Sequence, residues 1–581
     1  MTEHAPGHAP GRMVVGVLDA WWSRRAALLA SAGRVAQWAG AATLLAHVAW
    51  MWIGGFHSQD GPAHLFAATA LGRLLTGETG LLAAVYEPNL EIDPNWITYP
   101  LLAGGLRVAS PAVVELTVVS ALALGIAAGL WYAVTALGRR AAPVAVAGFP
   151  LAVGWSLHTG LYNFTGSVAL MLAVVGYHLR VAERMTPRRT LWLSLLLVVL
   201  FFSHPLSLAG AYSIVAVVWF AVTAADLRRG SDRRALVRRA GATAMAVTPS
   251  ALLMARFLAN AETVRPRAVP RDTWTSVVDT ALLRWPIGVA APAEADWATV
   301  IAIATWLAVA ALVGRRVIRR DWQHWDLLGV LPLAIGAAAV LLPDRLAGGT
   351  LVQPRLAMFA VLTLLLWIAV ANADTALLGW IGVALAIVGT VAMVALLHER
   401  IEPYREIDRA STEVLSVASS IAPGSLVLGA VSARAPDLSS TVPMVHIVDR
   451  LLIESDAVPA LTLDAGSGYG PIRYRMRFDP QPALRGFPRN RVHHRRVTPL
   501  AFANLSRRYA ATTGRGVDYV VLVGYDLRPA DVAQFRDHGF RLARRSMPSG
   551  LTWVFAAPTP TAAPVPTAAP VPAAAPARPA T

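Results

Sequence analysis

The chain has 581 residues, 55% hydrophobic and 15% charged, whereas soluble domains carry about 45–50% apolar and about 25% charged residues. That balance excludes an ordinary soluble enzyme and points to a membrane protein. The absence of cysteine excludes a disulfide scaffold and a thiolate metal site. The formal charge of +16 comes from arginine alone, since the chain has no lysine. These arginines lie in short clusters between apolar runs rather than on one basic module, which argues against nucleic-acid binding.

An apolar run of about 18 residues or more can cross the hydrocarbon core as a helix. About eleven such runs follow in chain order: residues 35–55, 111–137, 142–157, 161–181, 191–202, 206–225, 240–258, 297–314, 327–342, 356–371 and 377–397. The fifth and sixth flank Ser203-His204-Pro205 and read as two spans or one broken span. Cytoplasmic loops should be the arginine-rich ones. On alternate loops one side collects Arg24, Arg25 and Arg34, then Arg139 and Arg140, then Arg180 to Arg189, then Arg228 to Arg239, then Arg315 to Arg320. The clusters stay in phase, so the expected topology has the N-terminus (residues 1–34) inside. The long loop 56–110 and the region after the last span then lie outside. Residues 1–11 read as disordered, and nothing there has the cleavage pattern of a signal peptide.

The membrane domain is expected over residues 35–397. Beyond it, residues 398–557 mix short polar and apolar runs and read as an extracytoplasmic α/β domain. Its strands are expected at 426–429, 519–523 and 552–555, and its helices at 446–454 and 530–538. Residues 558–581, rich in Ala, Pro and Thr, read as a disordered tail.

The polar residues with chemical potential map to the outer ends of spans. Asp60 and His64, in FHSQDGPAHL, are four apart, so a helix starting near Gly61 puts both on one face. Asp60 could take a proton from an attacking hydroxyl with His64 orienting it, or it could cap the helix ahead of Gly61-Pro62. The segment YEPNLEIDPNWITY offers Asp93 and Asn95, as site residues or as a solvated loop with Asn95 capping the next helix, and Trp96 and Tyr99, as interfacial anchors or as a stacking platform for a sugar ring. Asn163, in the HTGLYN turn, and His204, in Ser-His-Pro, read as site-lining groups or as cap and kink residues. Gln353 and Arg355 open the tenth span, where a guanidinium can hold phosphate oxygens in a bidentate fashion or snorkel to headgroups. The run 485–496 concentrates five Arg and two His, for an anionic ligand or as plain basic surface. The Gly-rich 466–470 lacks the lysine and helix of a phosphate loop.

The ordered set of an acid after the first span (Asp60 in SQDGPAH), a long first outer loop, LYNF at 161–164, SHP at 203–205, an outer Arg355 and a C-terminal outer domain resembles the GT-C superfamily of integral-membrane glycosyltransferases. The resemblance implies an α-helical polytopic fold and transfer of a hexosyl or pentosyl group from a polyprenyl-phosphate-linked donor to an extracytoplasmic glycan, lipid or protein acceptor in the cell envelope. It makes Asp60 the base and Arg355 the phosphate holder, with His204 or His64 nearby. The family commonly carries two adjacent acids where this chain has Gln59-Asp60, so no metal ligand is assigned and a divalent metal stays open as cofactor. Membrane lipids are the remaining expected partners. A lipid-linked-substrate transporter or flippase would need polar groups at the midplane, where span interiors are nearly free of acids apart from Glu115. A non-catalytic envelope-assembly protein would leave Asp60 dispensable.

Overall fold

The structure is a computed structural model and describes residues 10–260, 273–344, 346, 349–370, 376–432, 434–466, 470–480 and 499–558. The arginine-rich run 485–496, the centre of the glycine-rich 466–470 loop, the first nine residues and nearly all of the Ala/Pro/Thr tail lie outside the described residues. The chain forms two compact units. One holds Met1–Leu65, Glu91–Ala410 and Pro436–His446; the other holds Phe66–Leu90, Ser411–Ala435 and Ile447–Thr581.

The first unit is helical. Among the described residues, nine stretches are long and apolar enough to cross a membrane. The two further runs read from the sequence fall on the Pro10–Gly54 helix and on the 17-residue Pro187–Ser203 helix. Large apolar side chains stay exposed along these helices, among them Trp38, Trp192, Phe220, Leu252, Leu307 and Leu333. Apolar exposure on that scale suits a lipid-facing surface. The chain is therefore an α-helical multi-pass membrane protein.

Proline places several helix starts, because a first-turn residue has no intrahelical use for its N–H. Pro111, Pro187 and Pro205 each open a helix. Thr186 accepts the Arg189 N–H at 3.3 Å as a side-chain cap. Ser203-His204-Pro205 separates two helices, with His204 extended between them (φ −167°, ψ 130°). The run 142–157 is not the continuous helix its apolarity suggests. A 3-10 helix covers Arg139–Gly148, and short helices follow at Phe149–Ala152 and Trp155–His158. Pro143 and Pro150 lack the N–H an α-helix interior needs, and Gly148 and Gly154 break what is left. Protein surrounds that stretch, which is fully buried, so its irregular backbone is shielded from lipid.

The Val352–Val370 helix is apolar around its whole circumference, as a core helix must be. Every residue in it is buried except Arg355.

Nearby, Arg400 and Glu294 form a fully buried ion pair. The guanidinium donates from Nε to Glu294 Oε1 and from Nη2 to Oε2, both at 2.9 Å, and from Nη1 to the Val153 carbonyl at 2.7 Å. Glu294 also accepts the Val289 N–H at 2.8 Å. This pair ties the start of the Glu294–Arg319 helix and the broken segment near Val153 to the exit of the Ala376–Glu399 helix.

The second unit is built on strands. β1 (Tyr86–Pro88) pairs antiparallel with β4 (Ile472–Tyr474). A five-stranded sheet contains β2 (Leu426–Val431), β3 (Val458–Pro459), β5 (Tyr519–Val523), β6 (Arg541–Arg545) and β7 (Thr552–Ala556), in the order β3-β2-β5-β7-β6. β3, β2 and β5 are parallel, and β7 and β6 are antiparallel additions. The parallel part reads as continuous apolar runs because both its faces are covered, here in part by the Ile447–Glu454 helix, while the Pro529–Asp537 helix packs on β6. Glu413 accepts hydrogen bonds from Ser546 Oγ (2.6 Å), Ser549 Oγ (2.9 Å) and the Leu551 N–H (3.0 Å), holding the turn before β7.

Candidate active site

Two segments far apart in sequence are zipped together at the main chain. The Gln59 N–H donates to the His158 carbonyl (2.8 Å) and the Asp60 N–H to the Thr159 carbonyl (3.0 Å). The SQDGPAH and HTGLYN motifs are thus two sides of one structure. Beneath them lies a buried network. The Ser58 hydroxyl lies 3.0 Å from Glu115 Oε1 and 2.7 Å from the Tyr162 hydroxyl, which itself donates to Glu115 Oε1 at 2.7 Å. Ser58 Oγ also accepts the Gly61 N–H at 3.1 Å. Ser58 thereby serves the start of the Gly61–Leu75 helix, a role the sequence reading had offered to Asp60.

Gly160 sits against this corner with φ +79°, and a Cβ there would lie 2.8 Å from both the Asp60 and Gly61 nitrogens. Those are main-chain atoms that cannot swing aside. The left-handed conformation alone costs an L-residue about 1–2 kcal/mol, and the clash adds to it. Gly160→Ala should therefore lower the thermal unfolding midpoint of the purified protein and displace Asp60. An unchanged midpoint would show that the corner is less tightly built than its contacts imply.

The Asp60 side chain is largely buried. Its Oδ1 accepts from Gln59 Nε2 at 3.2 Å and lies 3.6 Å from His446 Nε2. His64, one turn into the helix, brings its Nδ1 to 3.0 Å from the Tyr99 hydroxyl and its ring to 5.5 Å from that of Tyr162. The Trp96 N–H donates to the Phe202 carbonyl at 2.8 Å, which ties the first loop to the end of the Pro187–Ser203 helix. The indole N–H of Trp96 is buried and has no partner among the described residues. Asn163 Oδ1 accepts both the N–H and the hydroxyl of Thr98 (3.0 and 2.8 Å), so it holds the helix at Thr98–Gly105.

Asp93 and Asn95 have a different setting. The charged neighbours of Asp93 are Glu91 and Arg256. Burial and then Glu91 raise its carboxyl above the usual carboxylate range against the pull of Arg256. Asn95 adopts a left-handed φ of 68° in the turn after Pro94, a conformation asparagine tolerates well.

Arg355 and His204 form a second polar pair. Arg355 Nη1 lies 3.0 Å from His204 Nε2, and the guanidinium stands 5.0 Å above the Phe164 ring. Phe164 in turn meets the His204 ring edge-on at 5.2 Å. A guanidinium only donates, so Nε2 must accept. Yet Nδ1 faces the Leu206 N–H at 3.2 Å, and a neutral imidazole accepts at one nitrogen only. His204 is thus claimed by two donors. Arg355 Nε is buried and bonds no described residue. Gln353 fixes the approach: its N–H meets Asp344 Oδ1 (3.3 Å) and its Nε2 the Leu342 carbonyl (2.9 Å).

Asp60 lies beside Gln59 and His446, His64 beside Tyr99 and Tyr162, and Arg355 beside His204 and Phe164. Beside them lie Gln59, Glu115 and His446, which the sequence did not assign to a site, and Tyr99, which it offered with Trp96 as a stacking platform. Glu115 carried a signal as well, as an acid inside an otherwise acid-free span. Among the described residues, no group of three or more His, Asp or Glu side chains is placed to hold a metal ion. Chemically these groups offer a carboxylate at Asp60 and, at Arg355, a cation whose Nε has no partner among the described residues and which stands over the Phe164 ring.

No protein-family model matches the sequence, and no curated protein matches it either. Among solved structures, the chain is similar to ArnT from Cupriavidus metallidurans in the apo state, with 12% identity, 93% of this chain and 98% of that chain covered, and a TM-score of 0.44. It is also similar to ArnT from the same organism bound to undecaprenyl phosphate, with 10% identity, 94% and 99% covered, and a TM-score of 0.46.

Proposed function

We propose that this chain is a membrane glycosyltransferase of the GT-C type, moving a sugar from a polyprenyl-phosphate donor to an acceptor hydroxyl on the extracytoplasmic side. The observation that carries the reading is Arg355. It is the one incompletely buried residue of a core helix, and its Nε lacks a partner among the described residues. A phosphate oxygen would satisfy this guanidinium and would also end the competition for His204. Arginine suits that task because its planar fork matches phosphate geometry.

In the proposed step the acceptor hydroxyl attacks the anomeric carbon of the donor sugar. Asp60 takes the hydroxyl proton as the new carbon–oxygen bond forms. The bond from the anomeric carbon to the phosphate oxygen breaks, and its electron pair leaves on the phosphate. Arg355 receives the charge that develops there. Charge building on the phosphate in the transition state is what a preorganised cation stabilises most. The partial oxocarbenium character of such a transition state leaves the protein little to supply beyond a base and a clamp. Trp96 and Tyr99 form the wall for the sugar. The proposed orientation puts the N-terminus in the cytoplasm and this site outside.

The test is Arg355→Gln in the purified protein, assayed with a labelled polyprenyl-phosphate sugar. A charge-assisted hydrogen bond is worth about 1.5–3 kcal/mol, so the donor KM should rise about 10- to 100-fold and kcat should fall as well, because the cation also meets the charge of the transition state, with partial recovery in Arg355→Lys. Wild-type protein that transfers no sugar from any such donor would overturn the reading and favour a flippase or an assembly scaffold.

A further inference from the structure

Residues 436–446 come from the C-terminal third of the chain yet belong to the same compact unit as Asp60. This strap is pinned at two places. Ser439 and Ser440 donate main-chain N–H bonds to the carbonyls of Ala290 (3.3 Å) and Val289 (3.0 Å), and the Ser440 hydroxyl reaches the Gly288 carbonyl at 3.0 Å. Further along, the Val442 N–H donates to Gln59 Oε1 at 3.0 Å. The other end of the same Gln59 amide donates to Asp60 Oδ1. Gln59 therefore reads the strap with one atom and the carboxylate with the other. The strap ends by setting His446 Nε2 at 3.6 Å from Asp60 Oδ1, with both side chains largely buried.

We propose that His446 is a positioning residue acting through Asp60, and that the strap 436–446 is a working part of the site. The proposal rests on the reading of Asp60 as the base. An imidazole beside the carboxylate holds it in orientation for the acceptor hydroxyl. That role needs the proton on Nε2, so that the N–H faces the carboxylate; the acceptor's proton then stays on Asp60, and its O–H later breaks as the proton passes to water. Gln59 explains why this chain has an amide beside its acid: it is the joint that holds strap and carboxylate in register.

The experiment uses the full-length protein with a labelled polyprenyl-phosphate sugar. His446→Ala should lower kcat on the order of 10- to 100-fold, the range seen when a partner orienting a reacting group is removed, and leave donor KM unchanged. Added imidazole should restore part of the rate. The Asp60→Asn/His446→Ala double variant should be no slower than Asp60→Asn alone, because the two act as a unit. An unchanged kcat in His446→Ala, or a loss that imidazole does not rescue, would overturn the role of His446 while leaving the transferase reading in place. Wild-type protein without transfer would overturn both.

Discussion

Asp60→Asn is expected to reduce sugar transfer by about 10²–10⁴-fold, the usual contribution of a positioned general base, with donor binding retained. The substitution is nearly isosteric and keeps an oxygen for the Gln59 Nε2 contact. The corner that holds residue 60 is made of main-chain bonds to Thr159 and of the Ser58–Glu115–Tyr162 network, none of which involves the carboxylate. The fold should therefore survive, and the loss should appear in kcat. Parallel turnover and thermal unfolding measurements check this. Loss of the unfolding transition together with activity would assign Asp60 to the scaffold instead, and unchanged turnover would remove it from the chemistry.

The second large effect is one of stability. Arg400→Met is expected to destabilise the protein by about 3–5 kcal/mol, because it leaves the Glu294 carboxylate buried without its counter-charge. Both side chains are fully inaccessible and their contact is bidentate. The same deletion orphans the Val153 carbonyl, which the guanidinium now satisfies. The double variant Glu294→Leu/Arg400→Met removes both charges and should recover much of the loss, since a buried pair replaced as a whole by apolar groups is often close to neutral. Unfolding midpoints in detergent give the comparison. A single variant as stable as wild type, or a double variant worse than either single one, would contradict this account.

The helices were legible because a membrane span announces itself through a long apolar run, and every run read from the sequence falls on helical structure. The break at 142–157 was written in Pro143, Gly148, Pro150 and Gly154, but hydropathy outweighs such punctuation when apolarity is the signal followed. In the second unit, β2, β5 and β7 stood out as buried apolar runs. β1 and β4 did not, because short strands such as Tyr86–Pro88 depend on a partner hundreds of residues away. The same limit governs the site. Asp60 and Arg355 were legible as unusual charges at span ends, and Asp60 with His64 as a helical pair. His446 had no local signal at all. It lies in an unremarkable stretch, TVPMVHIV, and acquires meaning only through the strap that carries it to Asp60. Asn163 was legible as a polar residue in a tight turn, and its cap partner Thr98 supplies the reason for it.

The central claim is that one site divides its work, with Arg355 holding the donor phosphate and Asp60 removing the acceptor proton. It is tested most directly by measuring binding of labelled polyprenyl phosphate and transfer from the corresponding sugar donor in wild type, Asp60→Asn and Arg355→Gln. The account predicts that Asp60→Asn binds the lipid phosphate as wild type does and transfers almost nothing, whereas Arg355→Gln loses binding. Equal binding by all three proteins, or equal loss in both variants, would contradict it.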